Sequence, residues 1–129
     1  ASPRSVHEQI SPFHPLEKQE TLFENSELTM NICGERTPDY YIYGDIHYAC
    51  VKPIKGKGIL VNVGSVGNPL DIPEASYCIL EQVGKSVGVQ LVRVPYDKET
   101  VLKISKEAGM PKIDVYRAEI MECIYRGSK

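Results

Sequence analysis

The sequence predicts an α+β domain in which one mainly antiparallel sheet has flanking helices. Two observations predict this class. The middle of the chain is rich in apolar β-forming residues and is interrupted by glycine-containing turns. The last third instead repeats its apolar residues at helical spacing. With 129 residues, 42% of them hydrophobic, the chain is long enough to bury a core of its own, so we treat 1–129 as a single unit.

The first part of this unit is predicted to be a long loop, and long loops in compact domains tend to be functional. Residues 1–15 carry three prolines and several serines, a composition that disfavours helix and strand. A helix and sheet core then covers 16–95. It begins with a predicted short helix at 16–25 and a second helix that is capped by Ser26 and ends at Gly34.

Strands are predicted in two groups. The first group occupies 40–43, 48–54 and 59–63, with a glycine-containing hairpin turn at 55–58. The second is a hairpin of 76–82 with 87–94 across the turn at 84–86. Their apolar character indicates that at least one face of the sheet is covered, and that the other face needs a partner.

Two helices are predicted in the C-terminal part, 96–129. Asp97 is the expected N-cap of the first, which Gly109 and Pro111 end. The residues expected to share one face of it are Val101, Ile104, Ser105 and Ala108. The second helix is indicated by the spacing of Ile113, Tyr116, Ile120 and Ile124.

Charge and cysteine content narrow the classes of partner. The net charge of −2 provides no broad basic face for nucleic acid. The four cysteines form no C-x-x-C pair that would indicate a structural zinc. Cys50 and Cys78 fall inside predicted strands, where a cysteine usually acts as a small apolar residue, so we expect reduced thiols and a cytoplasmic protein. No apolar run approaches the roughly 18 residues of a membrane span, so no membrane association is expected.

A carboxylate and an imidazole follow the first predicted strand, in the sequence G-D-I-H at 44–47. Gly44 permits a turn that directs Asp45 and His47 toward one point. Together these groups suit manganese, iron, nickel or zinc, and with further oxygen ligands magnesium. The simpler alternative is that Asp45 caps a turn and His47 is a half-buried polar residue.

A second glycine-rich loop, N-V-G-S-V-G-N-P, occupies 62–69. Its backbone N–H groups can line an anion pocket, although it lacks the lysine of a nucleotide P-loop and also suits a tight strand connection. Antiparallel pairing of 48–54 with 59–63 would bring 44–47 and 64–68 to the same sheet edge. The two loops therefore predict part of a metal and phosphate site.

The ordered series of these pieces resembles the C-terminal half of the calcineurin-like metallophosphoesterases. It consists of Y-I-Y-G-D-I-H at 41–47, I-L-V-N-V-G-S-V-G-N-P at 59–69 and A-S-Y-C-I-L at 75–80. The series is most similar to the small bacterial and archaeal branch that includes phosphodiesterases and relatives of symmetric diadenosine tetraphosphate hydrolases. There the first loop reads G-H-x-H, and a hairpin and N-x-G-S follow. The opening A-S-P-R-S resembles the stretch after a metal-binding histidine of that family, so the resemblance spans roughly residues 1–95.

The resemblance implies a hydrolase with two divalent cations that acts on a phosphodiester, a phosphomonoester or a dinucleoside polyphosphate. By position, His47 is implied to bind one metal ion, and Asp45 stands where a histidine would bind the other. An aspartate there shifts the expected metal toward manganese or magnesium. The residues implied to lie near the phosphate or substrate are Gly44, Asn62, Gly64, Ser65 and Arg4.

The resemblance also implies a fold of which this chain is one half, because such enzymes are four-layer α/β/β/α sandwiches. Apart from D-I-H at 45–47 itself, the family's N-terminal motifs D-x-H, G-D-x-x-D and G-N-H-[DE] have no counterpart here. We therefore expect a C-terminal portion that is inactive alone, is completed by an N-terminal half, and associates with that half or with itself. The alternative is a non-catalytic binding or scaffold protein of the same fold.

Overall fold

The computed structural model describes residues 38–44, 46–56 and 58–125. In order along the chain, its elements are β1 (Tyr40–Tyr43), β2 (Cys50–Ile54), β3 (Gly58–Asn62), β4 (Ala75–Val83), β5 (Ser86–Val94), α1 (Lys98–Glu107) and α2 (Ile113–Glu122). The α+β class with mainly antiparallel pairing is thereby confirmed. The helices predicted at 16–25 and from Ser26 lie outside the described residues.

Strand β3 is the centre of a three-stranded mixed sheet. It pairs in parallel with β1 and antiparallel with β2. The hairpin predicted from 48–54 and 59–63 is therefore present. In this register Tyr43 of β1 and Cys50 of β2 both lie opposite Asn62, the last residue of β3.

The second predicted hairpin forms a separate antiparallel ladder of β4 and β5, so the described strands are divided between two sheets. One link between the sheets is the Tyr40 hydroxyl, which donates to the carbonyl oxygen of Val87 at 3.1 Å. This two-stranded β4–β5 ribbon exposes apolar side chains on both of its faces. Tyr77 and Ile79 are 44% and 42% exposed on one face, and Leu80, on the other, is 47% exposed.

The core lies on one face of the three-stranded sheet. Leu60 of β3 is fully buried there, and it packs with Tyr41 of β1 and with Cys50 and Ile54 of β2. These residues share a face because side chains alternate along each strand. On the opposite face Val61 is fully buried, whereas Ile42 and Val51 at its sides remain exposed.

Helix α1 begins as its sequence predicts. The Asp97 carboxylate accepts a hydrogen bond from the Thr100 backbone N–H at 3.0 Å, which satisfies one of the free N–H groups of the first turn. The predicted face is partly wrong. Leu102 is the buried residue of α1, whereas Ile104 is 58% exposed, because helical spacing alone does not decide which stripe of a helix is covered.

Helix α2 ends two residues before Ile124, which the apolar spacing had included in it. Cys123 adopts the left-handed conformation, with φ 54°, and its N–H donates to the Glu119 carbonyl at 2.9 Å. This cap closes the helix and leaves Ile124 43% exposed. Neither α1 nor α2 is long and apolar enough to cross a membrane, and the other described residues contain no such helix.

The central position of β3 predicts a large effect of truncating its core side chain. Leu60→Ala is expected to lower the free energy of unfolding by about 2–5 kcal/mol, because it removes a fully buried side chain and leaves a cavity. Urea denaturation measures the change. The matched control is Leu80→Ala on the exposed ribbon, which should cost less than about 1 kcal/mol. Equal losses for the two variants would contradict this account of the core.

Candidate functional site

The two glycine-rich loops meet at the end of β3. Because β1 and β2 lie on opposite sides of β3, the connection between them, of which 44 and 46–49 are described, must cross the end of the central strand. The Val63 N–H donates to the Tyr43 carbonyl oxygen at 2.9 Å, and the Leu70 N–H donates to the His47 carbonyl oxygen at 3.0 Å. The predicted meeting of the loops at one sheet edge is therefore observed.

This crossing requires small residues in both loops. Gly64 has φ 73°, and a Cβ atom added there would lie 2.9 Å from the Ala49 Cβ and 3.1 Å from the Ser76 Cβ. A Cβ on Gly44 would lie 3.0 Å from Cγ2 of Val63. Gly44 therefore serves close approach rather than a left-handed turn, whereas Gly64 serves both.

Asn62 is a fully buried polar residue beneath the two loops. Its side-chain oxygen accepts the Gly64 N–H at 3.0 Å, and its side chain also hydrogen-bonds Tyr43. Burial raises the pKa of Tyr43 well above its usual range, Cys50 adds to the rise, and the bond with Asn62 opposes it. These two hydrogen bonds hold the ends of β1 and β3 and the following loop together. Asn62, which was predicted to lie near a phosphate, therefore has a structural role at this end of the sheet.

Several polar groups of the loop after β3 form hydrogen bonds within the loop and with the start of β4. The Ser65 hydroxyl accepts the Asn68 N–H at 3.0 Å, and the Ser65 carbonyl oxygen accepts the Ser76 N–H at 3.0 Å. Gly64 and Leu70 likewise donate their N–H groups within the edge. Ser65 thus caps the loop, and these N–H groups are committed to internal bonds rather than to an anion.

His47 lies in the connection that crosses β3. The residue is half-buried, and its Nδ1 atom is enclosed. Asp45 and Arg4 lie outside the described residues. In the part of the chain that the structure describes, no three side chains among histidine, cysteine, aspartate and glutamate lie together as a metal-binding group. The described residues therefore fit a metal ion only as contributors of part of its ligand set.

Asp71, which no sequence motif had singled out, accepts four hydrogen bonds beside this end of the sheet. Its two oxygens accept N–H bonds from Ala49 and Ile72, each at 2.8 Å, and both also accept from the Arg93 guanidinium. Burial alone would raise the pKa of Asp71, but the bonds from Arg93, Ile72 and Ala49 lower it below its usual value. A signal was available, since Arg93 is the one charge in the apolar run 87–94 and a charge in such a run needs a partner.

Both helices support the loop between β3 and β4. The Asn68 side-chain amide donates to buried Glu119 of α2 at 3.1 Å, and the Tyr116 hydroxyl donates to the Gly67 carbonyl at 3.1 Å. From α1, the Lys98 ammonium donates to the Pro73 carbonyl at 2.8 Å. The helices therefore fix the 63–74 loop, which in turn contacts the connection that carries His47.

The left-handed, crowded position of Gly64 predicts a specific loss on substitution. Gly64→Ala is expected to lower the free energy of unfolding, with about 1–2 kcal/mol from the left-handed backbone and about 1–3 kcal/mol from contact with Ala49 and Ser76. Gly67→Ala is the control, because a Cβ there meets no atom within 4 Å. It should change stability by no more than about 0.5 kcal/mol. Chemical denaturation of both variants checks the difference, and a neutral Gly64→Ala would contradict the packing described.

Comparison with known proteins adds no family assignment. No protein-family model matches the chain. No curated protein matches it significantly.

Proposed function

We propose that this chain forms one part of the active site of a metal-dependent phosphoesterase. The observation that carries the proposal is the contact of the 44–49 connection with the 63–70 loop across the end of β3. Strand ends with short, tightly supported loops are favourable places for catalytic groups, because the sheet holds them rigidly. The motif order that resembles the metallophosphoesterases falls on this edge.

In this proposal the chain contributes two metal ligands, His47 and Asp45. His47 would contribute an imidazole nitrogen, the usual metal-binding atom of a neutral histidine. Asp45 would contribute carboxylate oxygen, which favours manganese over softer metals, with iron, nickel, zinc and magnesium as the other candidates. When bound, the two cations would activate water and stabilise charge on the phosphoryl group.

The remaining residues of the edge would act through the backbone. Gly44 and Gly64 let the two loops approach, Asn62 ties the second loop to β1, and Ser65 caps it. Arg4 would face the phosphate. The substrate class is a phosphate ester, either a mono- or diester or a nucleotide-like polyphosphate, and the remaining ligands would come from an N-terminal half.

The alternative is a non-catalytic binding or scaffold protein of the same fold. It is favoured by one feature, the aspartate at 45 where the related loop has histidine. The two functions differ in whether the intact protein hydrolyses phosphate esters with any divalent metal. A cytoplasmic location is part of both proposed functions, and it is compatible with Cys50, Cys78 and Cys123, which form no disulfide among the described residues.

Removal of the proposed imidazole ligand tests the catalytic claim. The assay uses the intact protein, meaning this chain together with the proposed N-terminal half, with Mn²⁺ and bis-p-nitrophenyl phosphate. His47→Ala is expected to lower its kcat/KM at least about a hundredfold, because loss of a direct ligand exceeds the usual effect of outer-shell changes. Asp45→Ala should lower it as well. Asp114→Ala, at an exposed position in the first turn of α2, is the matched acidic control and should keep full activity.

Two results would contradict the proposal. One is a folded intact protein without activity with manganese, iron, nickel, zinc or magnesium, which would favour the scaffold alternative. The other is full activity in a folded His47→Ala variant. Circular dichroism of each variant establishes that it is folded.

Exposed apolar side chains support the proposed partner surface. Ile42 and Val51 are 48% and 41% exposed on the face of the three-stranded sheet that does not carry the core cluster. Val61 between them is already fully buried, so the open part of this face lies on its two flanking strands. We propose that an N-terminal half, or a second copy of the chain in its absence, covers this face.

The 129-residue chain by itself is therefore expected to self-associate. Light scattering should give a mass above the 14.4 kDa of one chain, since burial of apolar surface favours association. The double variant Ile42→Glu, Val51→Glu should shift the population toward the monomer. Lys85→Glu, a charge change at the turn between β4 and β5, should leave the mass unchanged. A stable wild-type monomer would contradict this prediction.

A further inference from the structure

Asp71 links strand β5, through Arg93, to the chain segment between β1 and β2 that carries His47. Its Oδ2 atom accepts the Ala49 N–H at 2.8 Å, and its Oδ1 atom accepts the Ile72 N–H at 2.8 Å. Arg93 donates to both oxygens, with Nη1 to Oδ1 at 2.9 Å. All four bonds approach a single carboxylate, which fixes its orientation.

The residue before Asp71 holds the same connection from a second point. The Leu70 N–H donates to the His47 carbonyl oxygen at 3.0 Å, and Leu70 itself is buried. Two adjacent residues thus bind the backbone at His47 and at Ala49, so the segment between these bonds has little freedom to rotate. Ile46, fully buried in the core, anchors the other side of His47.

The Asp71–Arg93 pair is well placed to act as a rigid support. The two side chains are only 18% and 19% exposed, and the planar guanidinium matches both carboxylate oxygens. The Arg93 hydrogen bonds lower the pKa of Asp71 against the opposing effect of burial, and an ionised carboxylate offers about four acceptor positions. Arg93 lies in the β4–β5 ladder, opposite Ser76. The support therefore originates in a regular strand.

We propose that Asp71, oriented by Arg93, is a positioning residue that holds the 46–49 segment so that His47 is directed toward its metal ion. The inference rests on the proposed function, because the direction of His47 matters only if His47 is a ligand. Neither Asp71 nor Arg93 is assigned a contact with metal or substrate.

A second arginine–carboxylate pair provides a matched control. Glu99 of α1 and Arg117 of α2 also form two hydrogen bonds, each 3.1 Å, but these side chains are 63% and 52% exposed and lie between the helices. No bond of this pair reaches the 46–49 segment. Substitutions of Glu99 or Arg117 also break an arginine–carboxylate pair, as the Asp71 substitutions do, but they remove no hydrogen bond to the 46–49 segment.

The first measurement is amide hydrogen exchange by NMR in the intact protein. Asp71→Ala is expected to accelerate exchange of the Ala49 amide at least about tenfold, because that N–H loses its acceptor. The Val61 amide in the core of β3 should not change. Arg93→Lys keeps the charge but loses the two-pronged contact, so it should give an intermediate effect. Asp71→Glu, which restores a carboxylate, should recover part of the protection.

The second measurement is Mn²⁺ binding followed by paramagnetic broadening of the His47 ring signals. Asp71→Ala is expected to weaken Mn²⁺ binding by about 10–100-fold, the usual effect of losing an outer-shell support. Glu99→Ala and Arg117→Lys should change neither Ala49 exchange nor Mn²⁺ affinity. Arg93→Lys provides the same test if Asp71→Ala does not fold.

The outcomes separate the positioning role from the metal site. If Mn²⁺ broadens the wild-type His47 signals and the Asp71 variants change neither exchange nor affinity, the positioning role is overturned. If wild-type His47 signals stay sharp with Mn²⁺, the proposed metal site fails, and the Ala49 exchange then decides separately whether Asp71 holds the segment. Equal effects from Glu99→Ala would also overturn the proposal, because they would indicate a general loss of stability.

Discussion

The fold of the candidate site depends on one topological constraint, the passage of the β1–β2 connection over the end of β3. Strands β1 and β2 are both hydrogen-bonded to β3, so the connection between them must span two interstrand spacings, roughly 10 Å, past the end of β3. The chain leaving β3 must pass this connection at close range. Side chains on both segments would collide there, which explains glycine at 44 and 64.

The crossing also creates a need for polar partners at the sheet edge. Backbone groups in two adjacent irregular segments have no ladder to satisfy them, and leaving them unpaired away from water is costly. Asn62 serves Gly64, and Asp71 serves Ala49 and Ile72. The edge is therefore supported by side chains whose own partners, Tyr43 and Arg93, come from neighbouring strands.

Elements that depend on residues close together in the sequence were predictable, whereas features that depend on distant residues were not. Strand β1, the two hairpins and the Asp97 cap were predictable because neighbouring residues determine them. The end of α2 was not, since a left-handed Cys123 has no sequence signal comparable to glycine. The exposure of Ile104 also required the structure, because helical spacing alone does not decide which stripe of α1 faces α2.

By itself, the sequence determined the α+β class, the β-hairpins and the two loops that contain His47 and Gly64, and its motif order underlies the proposed function. Only the tertiary structure decided that β1 pairs in parallel with β3, that Asn62 is buried, and that Asp71 and Arg93 support the His47 segment. The physical reason is separation along the chain. Asp71 lies 22 residues from both Ala49 and Arg93, so these bonds exist only after the strands and helices have packed together.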